Sequence, residues 1–449
     1  MESNEIYGRP LARRQLLKGT ALAAGLGLAG SSGLLAACGG SDSGGKSGPA
    51  ASGDKIGGAI TWSSWANPGE AERFKQYSKE FQTKYGTKVT YQTIVGDYQA
   101  KLLTQLAGGA ASDAFYVGDG QMAKMIETGQ LEKLDTFLSS PDSPIKSSDV
   151  YEGLWQWCKG PDGATYGLPV DCNPKVFWFN KGLLQEAGVS QNPAQLFEAG
   201  QWNQAALTDL LTKVRATGKR AMVMEANWFD LMSFITTFGG TAFDESGKAV
   251  FDTDPKAQTV IAWLWEQLKS ENIAYGGSLP KGQGVDALFY GGQLATIQYG
   301  RWILPNLKKL KKLEFDIAPM PSESGKDIAP VAVYTAAMSV YAKSKQKDVA
   351  TKFFGHYVSA DGQRSRLSGG GNAVPCVPGL DEIVTEGNLP EHGKLFTEIA
   401  AKGYAIPKAI GTNAKVATNL PLEMDKMIKA GNETPQSFSQ KLAALINGG

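Results

Sequence analysis

Ten tryptophans against two histidines set the chemistry open to this chain of 449 residues. The histidines, His356 and His392, have no neighbour at metal-ligand or triad spacing, and there is no Gly-x-Ser-x-Gly elbow and no Cys-x-x-Cys pair. No metal and no cofactor is expected on that inventory. The 44 Asp and Glu residues leave room for a carboxylate pair acting on a glycoside, so a secreted glycoside-processing enzyme is the alternative to a binding protein. The enzyme would turn its ligand over, whereas a binder returns it unchanged. The tryptophans are the positive observation. A pyranose has an apolar C–H face and a belt of hydroxyls, so its site needs flat rings for the face and carboxylates, amides or guanidinium for the belt.

Most tryptophans in a globular chain are core, and each is weighed against that. Trp178 lies in an apolar strand, and Trp263 and Trp265 lie in the helix that follows Pro255; all three read as packing. Trp155 and Trp157 alternate on one face of a hairpin expected around Pro161-Asp162-Gly163. Trp62 and Trp65 end a first strand and enter its loop, where open α/β sheets bind ligands, and Trp228 lies in a loop before a helix. These three are candidate ligand contacts.

Charge and the N-terminal residues narrow the setting. Formal charge is +1, and a presequence with four basic residues against Glu2 and Glu5 leaves the remainder near −1. Nucleic-acid binding runs on clustered Lys and Arg, so no nucleic-acid partner is expected. Arg13 and Arg14 precede an uncharged run from Gly19 to Ala37 that ends in Leu35-Ala36-Ala37-Cys38. Residues 1–37 read as a signal peptide, with a twin-arginine motif or an ordinary secretory n-region as its two readings. The residues around Cys38 resemble a lipobox, which implies acylation of Cys38 and anchoring to the outer face of a cytoplasmic membrane. Residues 38–55 then form a Gly/Ser-rich tether reaching ~5–6 Å × √n. A dinucleotide-type glycine pattern at Gly25 to Gly30 and a phosphate-loop pattern at Gly40 to Ser47 lack a preceding strand and are compositional accidents.

From Ile56 onward the pattern is α/β. Ile60 and Trp62 sit in a short strand; Phe74, Tyr77, Phe81 and Tyr85 have helical spacing that stops at Gly86; Val89, Tyr91 and Thr93 alternate. Tyr98, Leu102 and Leu106 mark a second helix, and Asp113 to Val117 a third strand. Such alternation predicts parallel pairing with right-handed crossovers. Thr434-Pro435 opens a closing helix through Phe438, Leu442 and Ile446.

Ordered landmarks then carry a resemblance: Tyr166 to Asp171, Phe177 to Lys181, Phe238-Gly239-Gly240, Phe251-Asp252, Phe289 to Trp302, Phe315 to Pro321 and Gly371 to Pro375. Together they resemble the extracellular solute-binding proteins of ABC importers, in the carbohydrate-binding group that includes maltose-binding protein, over roughly residues 56 to 446. The resemblance implies a two-lobed periplasmic-binding-protein-like fold (type II), with one lobe from 56–170 plus 338–385 and the other from 171–337 plus 386–449. It implies a monomer that takes a carbohydrate in the interlobe cleft and passes it to ABC permease subunits.

The same resemblance implies site residues. Trp302 matches a position that stacks on sugar, and Asp119 and Asp171 resemble acidic ligand positions, the competing reading being solvated loop acids or caps. Asp97 and Tyr98, at a helix start, are weaker candidates. Tyr334 stands where many relatives have glycine, Asn372 lies in the glycine-rich loop from Gly369, and Arg301 can donate a bidentate bond to a hydroxyl pair or an acidic group. Cys172 and Cys376 both follow segments at the inferred hinge, so a Cys172–Cys376 disulfide is expected, with Cys158, placed opposite Tyr166 by the hairpin, a buried free thiol.

Overall fold

The computed structural model describes residues 55–66, 68–280 and 283–448. The signal peptide, Arg13-Arg14, Cys38 and all of the tether except Lys55 lie outside the described residues. Among those described, no helix is long and apolar enough to cross a membrane.

Twelve strands are formed: β1 (Ala59–Ser64), β2 (Lys88–Thr93), β3 (Ala114–Gly118), β4 (Leu168–Pro169), β5 (Asn173–Pro174), β6 (Val176–Asn180), β7 (Met222–Met224), β8 (Ile273–Tyr275), β9 (Thr296–Tyr299), β10 (Phe315–Ala318), β11 (Val333–Tyr334) and β12 (Ala336–Val340). β1 pairs in parallel with β2 and with β3, as the alternation of strand and helix predicts. β12 and β4 extend this sheet antiparallel, in the order β2-β1-β3-β12-β4. The helix Pro68–Tyr85 buries Phe74, Tyr77 and Phe81, and the helix Lys347–Val358 buries Phe353 and Tyr357. A residue stripe about one turn apart on each thus covers apolar sheet surface.

The second lobe is built on the antiparallel sheet β10-β6-β9, with the short parallel pair β7-β8 beside it. All five residues of β6 are buried, Trp178 among them, which is the pattern of a strand covered on both faces. Trp178, Trp263 and Trp265 all pack as expected, their indole nitrogens donating to the Tyr299 carbonyl, Thr208 Oγ1 and the Glu433 carbonyl. The fold is therefore α/β and two-lobed, of the type II periplasmic-binding-protein class.

The crossings between lobes decide where a ligand can go. Between β4 and β6 the chain leaves the first sheet through Val170 to Asn173; between β11 and β12 it returns through Thr335. The two crossing segments pair with each other, Tyr334 opposite Asn173 and Val333 opposite Pro174. A third strand of chain lies alongside, Cys172 bridging Val374. This three-segment ribbon is the hinge.

Two expectations are corrected here. The expected Cys172–Cys376 disulfide is not formed: all three described cysteines are free and buried. The register opposes Cys172 to Val374, and each thiol instead donates to a carbonyl of the facing segment, Cys172 Sγ to Pro375 at 3.4 Å and Cys376 Sγ to Pro169 at 3.1 Å. Trp155 and Trp157 do not alternate on a strand; Trp155 joins two consecutive 3₁₀ turns, Glu152–Leu154 and Gln156–Cys158, and Trp157 lies in the second, turned inward. The turn at Pro161 to Gly163 does form, with the Tyr166 amide bonded to the Cys158 carbonyl at 3.0 Å.

Candidate functional site: an aromatic and acidic cavity between the lobes

A cavity of about 410 Å³ lies against the hinge, lined from both sides. The first lobe contributes Trp65, just beyond β1, Glu70 and Phe74 from the helix after it, and Tyr116, Gly118 and Asp119 at the end of β3. The second contributes Phe229 and Trp302, and the crossing segments add Asp171, Asn173, Tyr334, Thr335 and Ala336, with Asn372 beside them.

One wall is a stack of rings. Phe229 and Tyr334 are nearly parallel, centroids 3.8 Å apart at 17°, and Trp302 meets Tyr334 edge-on at 5.0 Å and 82°. Gly300 makes room for that arrangement, since a Cβ there would lie 2.3 Å from the Trp302 ring and 2.4 Å from Asn173 Cβ. Opposite, Trp65 is held edge-on by Tyr98 at 5.0 Å and Tyr116 at 5.5 Å. Trp65 and Trp302 are both only partly buried, so part of each ring is left for a ligand.

The polar groups are carboxylates and amides. Asp119 Oδ1 accepts from the Gly120 amide at 2.8 Å, while its Oδ2 is buried without a donor. Desolvation pushes this carboxyl up to about 6, against smaller opposing backbone hydrogen bonds. Asp171 is pushed further, to about 7, first by burial; Arg366 and the Ala336 amide pull it back while Glu70 adds to the rise. Asn372 Nδ2 donates to Glu70, fixing an amide from the glycine-rich loop against the first lobe. Lys175 lies behind Tyr334, buried and paired with Asp230, its Nζ 2.9 Å from the Gln298 carbonyl and 3.4 Å from Tyr334 Oη.

Six sequence candidates therefore line one cavity, namely Trp65, Asp119, Asp171, Trp302, Tyr334 and Asn372. Three do not, and each has a physical reason. Trp62 is fully buried: β1 runs on to Ser64, so this residue is inside the strand, where its Nε1 donates to Ser78 Oγ at 2.9 Å and its ring packs on Phe74, Tyr91 and Phe353. Trp228 starts the helix Trp228–Thr237 and stacks under Phe229 at 3.9 Å, so its neighbour takes the cavity face. Arg301 is fully buried and spends its guanidinium on three carbonyls, Gly371 at 2.8 Å, Ala373 at 3.0 Å and Ile383 at 2.9 Å. It clamps the loop that carries Asn372 and cannot grip an acidic ligand. The weaker candidates also resolve: Asp97 caps the helix Tyr98–Ala107, and Tyr98 is buried with its hydroxyl on the Tyr116 carbonyl.

Glu70, Phe229 and Asn173 escaped sequence reasoning. Glu70 reads as an ordinary first-turn acid, and Asn173 sits in a two-residue strand without periodicity. Phe229 was legible in principle, because a residue one step along a helix from Trp228 faces about 100° away. Outside the cavity Asp316, Glu391 and His392 converge, but Lys181 stands among them, 3.3 Å from Asp316 and 3.1 Å from Glu391, and supplies the positive charge itself.

Two lobes joined by a strand ribbon, with a partly open cavity against it, have the architecture of a hinged ligand-binding protein. The sequence pattern of the bacterial extracellular solute-binding proteins matches residues 65–364, and the chain belongs to that family. Its fold is similar to an ABC substrate-binding protein of Listeria monocytogenes solved with cycloalternan, at TM-score 0.74 and 21% identity over 87% of this chain and 98% of that one. It is similar as well to the sugar-binding protein MalE of Xanthomonas citri, at TM-score 0.65 and 18% identity over 87% and 96%. Among sequence relatives, an arabinooligosaccharide-binding protein of Halalkalibacterium halodurans is 24% identical over 150 residues, 32% of this chain and 31% of the relative. A binding protein of Brucella abortus is 25% identical over 127 residues, 27% of this chain and 29% of the relative. The chain thus spans under a third of the length of these curated relatives.

Proposed function

We propose that this protein is a membrane-anchored lipoprotein that captures a sugar or oligosaccharide in the interlobe cavity and delivers it to the transmembrane subunits of an ABC importer. The observation that carries this reading is the pair of partly open indole rings, Trp65 and Trp302, facing one cavity from opposite lobes with carboxylates and amides between them. Rings take the apolar faces of a pyranose and the polar groups take its hydroxyls. A cavity of about 410 Å³ falls in the range of small-molecule sites. The saccharides in the Listeria and Halalkalibacterium proteins support the same ligand class.

The lobes are divided at 56–170 plus 338–385 and 171–337 plus 386–449, save that β12, paired with β3 from Ala336 onward, extends the first lobe back to that residue. The protein acts as a monomer, without cofactor, and returns its ligand unchanged. Export follows a twin-arginine-type signal over residues 1–37, and acylated Cys38 holds the body on its tether at the outer face of the membrane. A Cys38→Ala variant is expected to appear in the medium or to stay unprocessed; a processed product that remains in the membrane would contradict the anchor.

A thermal-shift screen of residues 39–449 against mono- and oligosaccharides tests the central reading. A ligand at 100 times its Kd adds ~2.7 kcal/mol to the native state, a readily visible shift. Chromatography of the same mixtures after prolonged incubation should recover the sugar intact, and a new product would indicate an enzyme instead.

A further inference from the structure

The cavity carries more negative charge than a neutral sugar requires. Glu70, Asp119 and Asp171 face it, and no lysine, arginine or histidine among the described residues lines it. Two buried cations, Lys175 and Arg366, stand outside the lining. Lys175 is paired with Asp230, and Arg366 donates to the Val170 and Tyr357 carbonyls with its guanidinium 4.0 Å over the Tyr357 ring. Asp119 lines the cavity, and its Oδ2 is buried beside it with no donor.

A sugar hydroxyl would give that oxygen a hydrogen bond and leave its charge unbalanced. An ammonium gives both, as a charge-assisted bond roughly twice as strong as a neutral one. The partly buried indoles of Trp65 and Trp302 line the same space, and the face of an aromatic ring, the negative side of its quadrupole, also attracts cations. Burial displaces both aspartyl carboxyls upward, to about 6 and about 7, and only Asp171 has a cation, Arg366, that pulls it back.

We propose that the ligand is a saccharide bearing a protonated amino group, bound with its ammonium against Asp119 and Asp171 and its ring between the indoles. This rests on the sugar-binding reading and narrows it to one chemical class. A phosphorylated or carboxylated sugar would set a like charge against these acids and is the class the cavity disfavours.

The test is calorimetric titration of residues 39–449 with matched sets: glucosamine and galactosamine and their β-1,4-linked disaccharides, the N-acetylated forms, and the all-hydroxyl counterparts. Work at about pH 6.5 keeps the amines protonated. The expected result is that at least one amino sugar binds about ten-fold or more tighter than both its N-acetyl and its hydroxyl counterpart. Asp119→Asn should erase that preference while its circular dichroism and melting curve stay native, and Asp171→Asn should diminish it. Equal or tighter binding of the neutral members overturns the inference and leaves the sugar-binding reading in place. An amine preference that survives in both variants overturns the assignment of the ammonium to these carboxylates. Failure of every compound to bind the wild-type protein overturns the inference together with the sugar-binding reading.

Discussion

Trp62 and Trp302 are the same side chain in opposite positions, and the difference lies in what surrounds each ring. Trp62 has rings or strands on every side and donates its indole proton to Ser78; Trp302 leans on Tyr334 and Tyr299 and leaves part of its surface to the cavity. Trp62→Ala should therefore cost ~3–5 kcal/mol of stability in denaturant unfolding. Trp302→Ala should weaken saccharide binding by ~1–3 kcal/mol with little change in the unfolding midpoint. The reverse pattern would return Trp302 to the core. The carboxyls give a second expectation. Asp171 is raised from 3.8 to about 7 by burial, so the folded protein holds a proton that the unfolded chain has already released between those values. The Asp171 contribution to stability of the ligand-free protein then falls as pH rises from about 4 to about 7, because its folded form binds the proton across that range. Asp171→Asn removes this contribution. Unfolding midpoints of the two proteins should diverge with rising pH, the variant becoming the more stable, and parallel curves would contradict the assignment.

At the scale of elements, sequence pattern and structure agree where the determinants are local. The β1, β2 and β3 unit was legible from alternation and from helices of regular apolar spacing, and so was the closing helix Pro435–Gly448 after Thr434. The hinge was not legible in that way. β4, β5 and β11 are two residues long, and β5 pairs with β11 across about 160 residues of chain, so no window of sequence contains the signal. Only the ordered landmarks of the family resemblance pointed to those crossings. The Trp155-x-Trp157 alternation misled because a period of two over three residues does not separate a strand from consecutive 3₁₀ turns. The turn that presents Trp302 gives a prediction at this scale. Gly300→Ala places a methyl group where the Trp302 ring now lies, so saccharide binding should weaken although residue 300 is not part of the cavity lining. Titration beside circular dichroism checks it, and unchanged affinity would mean that the ring's position does not matter.

For the whole molecule, the cavity exists only because separated pieces of chain meet: Trp65 to Phe74, the end of β3, the two crossings, the start of the helix Trp228–Thr237, the turn after β9 and the loop at Asn372. Composition pointed to the right class of chemistry, since rings and carboxylates outnumber any metal-binding or nucleophilic set. It could not apportion the rings between core and cavity, because that depends on which face each element covers. Nor could it foresee that Arg301, with a side chain suited to an acidic ligand, would be spent on three carbonyls and leave the cavity without a cation. Ligand bridging the two lobes would favour their closed arrangement by its extra contacts there. The measurement that bears most directly on this account is a crystal structure of residues 39–449 with the tightest saccharide from the screen. The account predicts a sugar ring against Trp302, with its polar groups on Asp119 and Asp171, inside the cavity at the hinge. A saccharide bound elsewhere on the surface, with that cavity vacant, would contradict it.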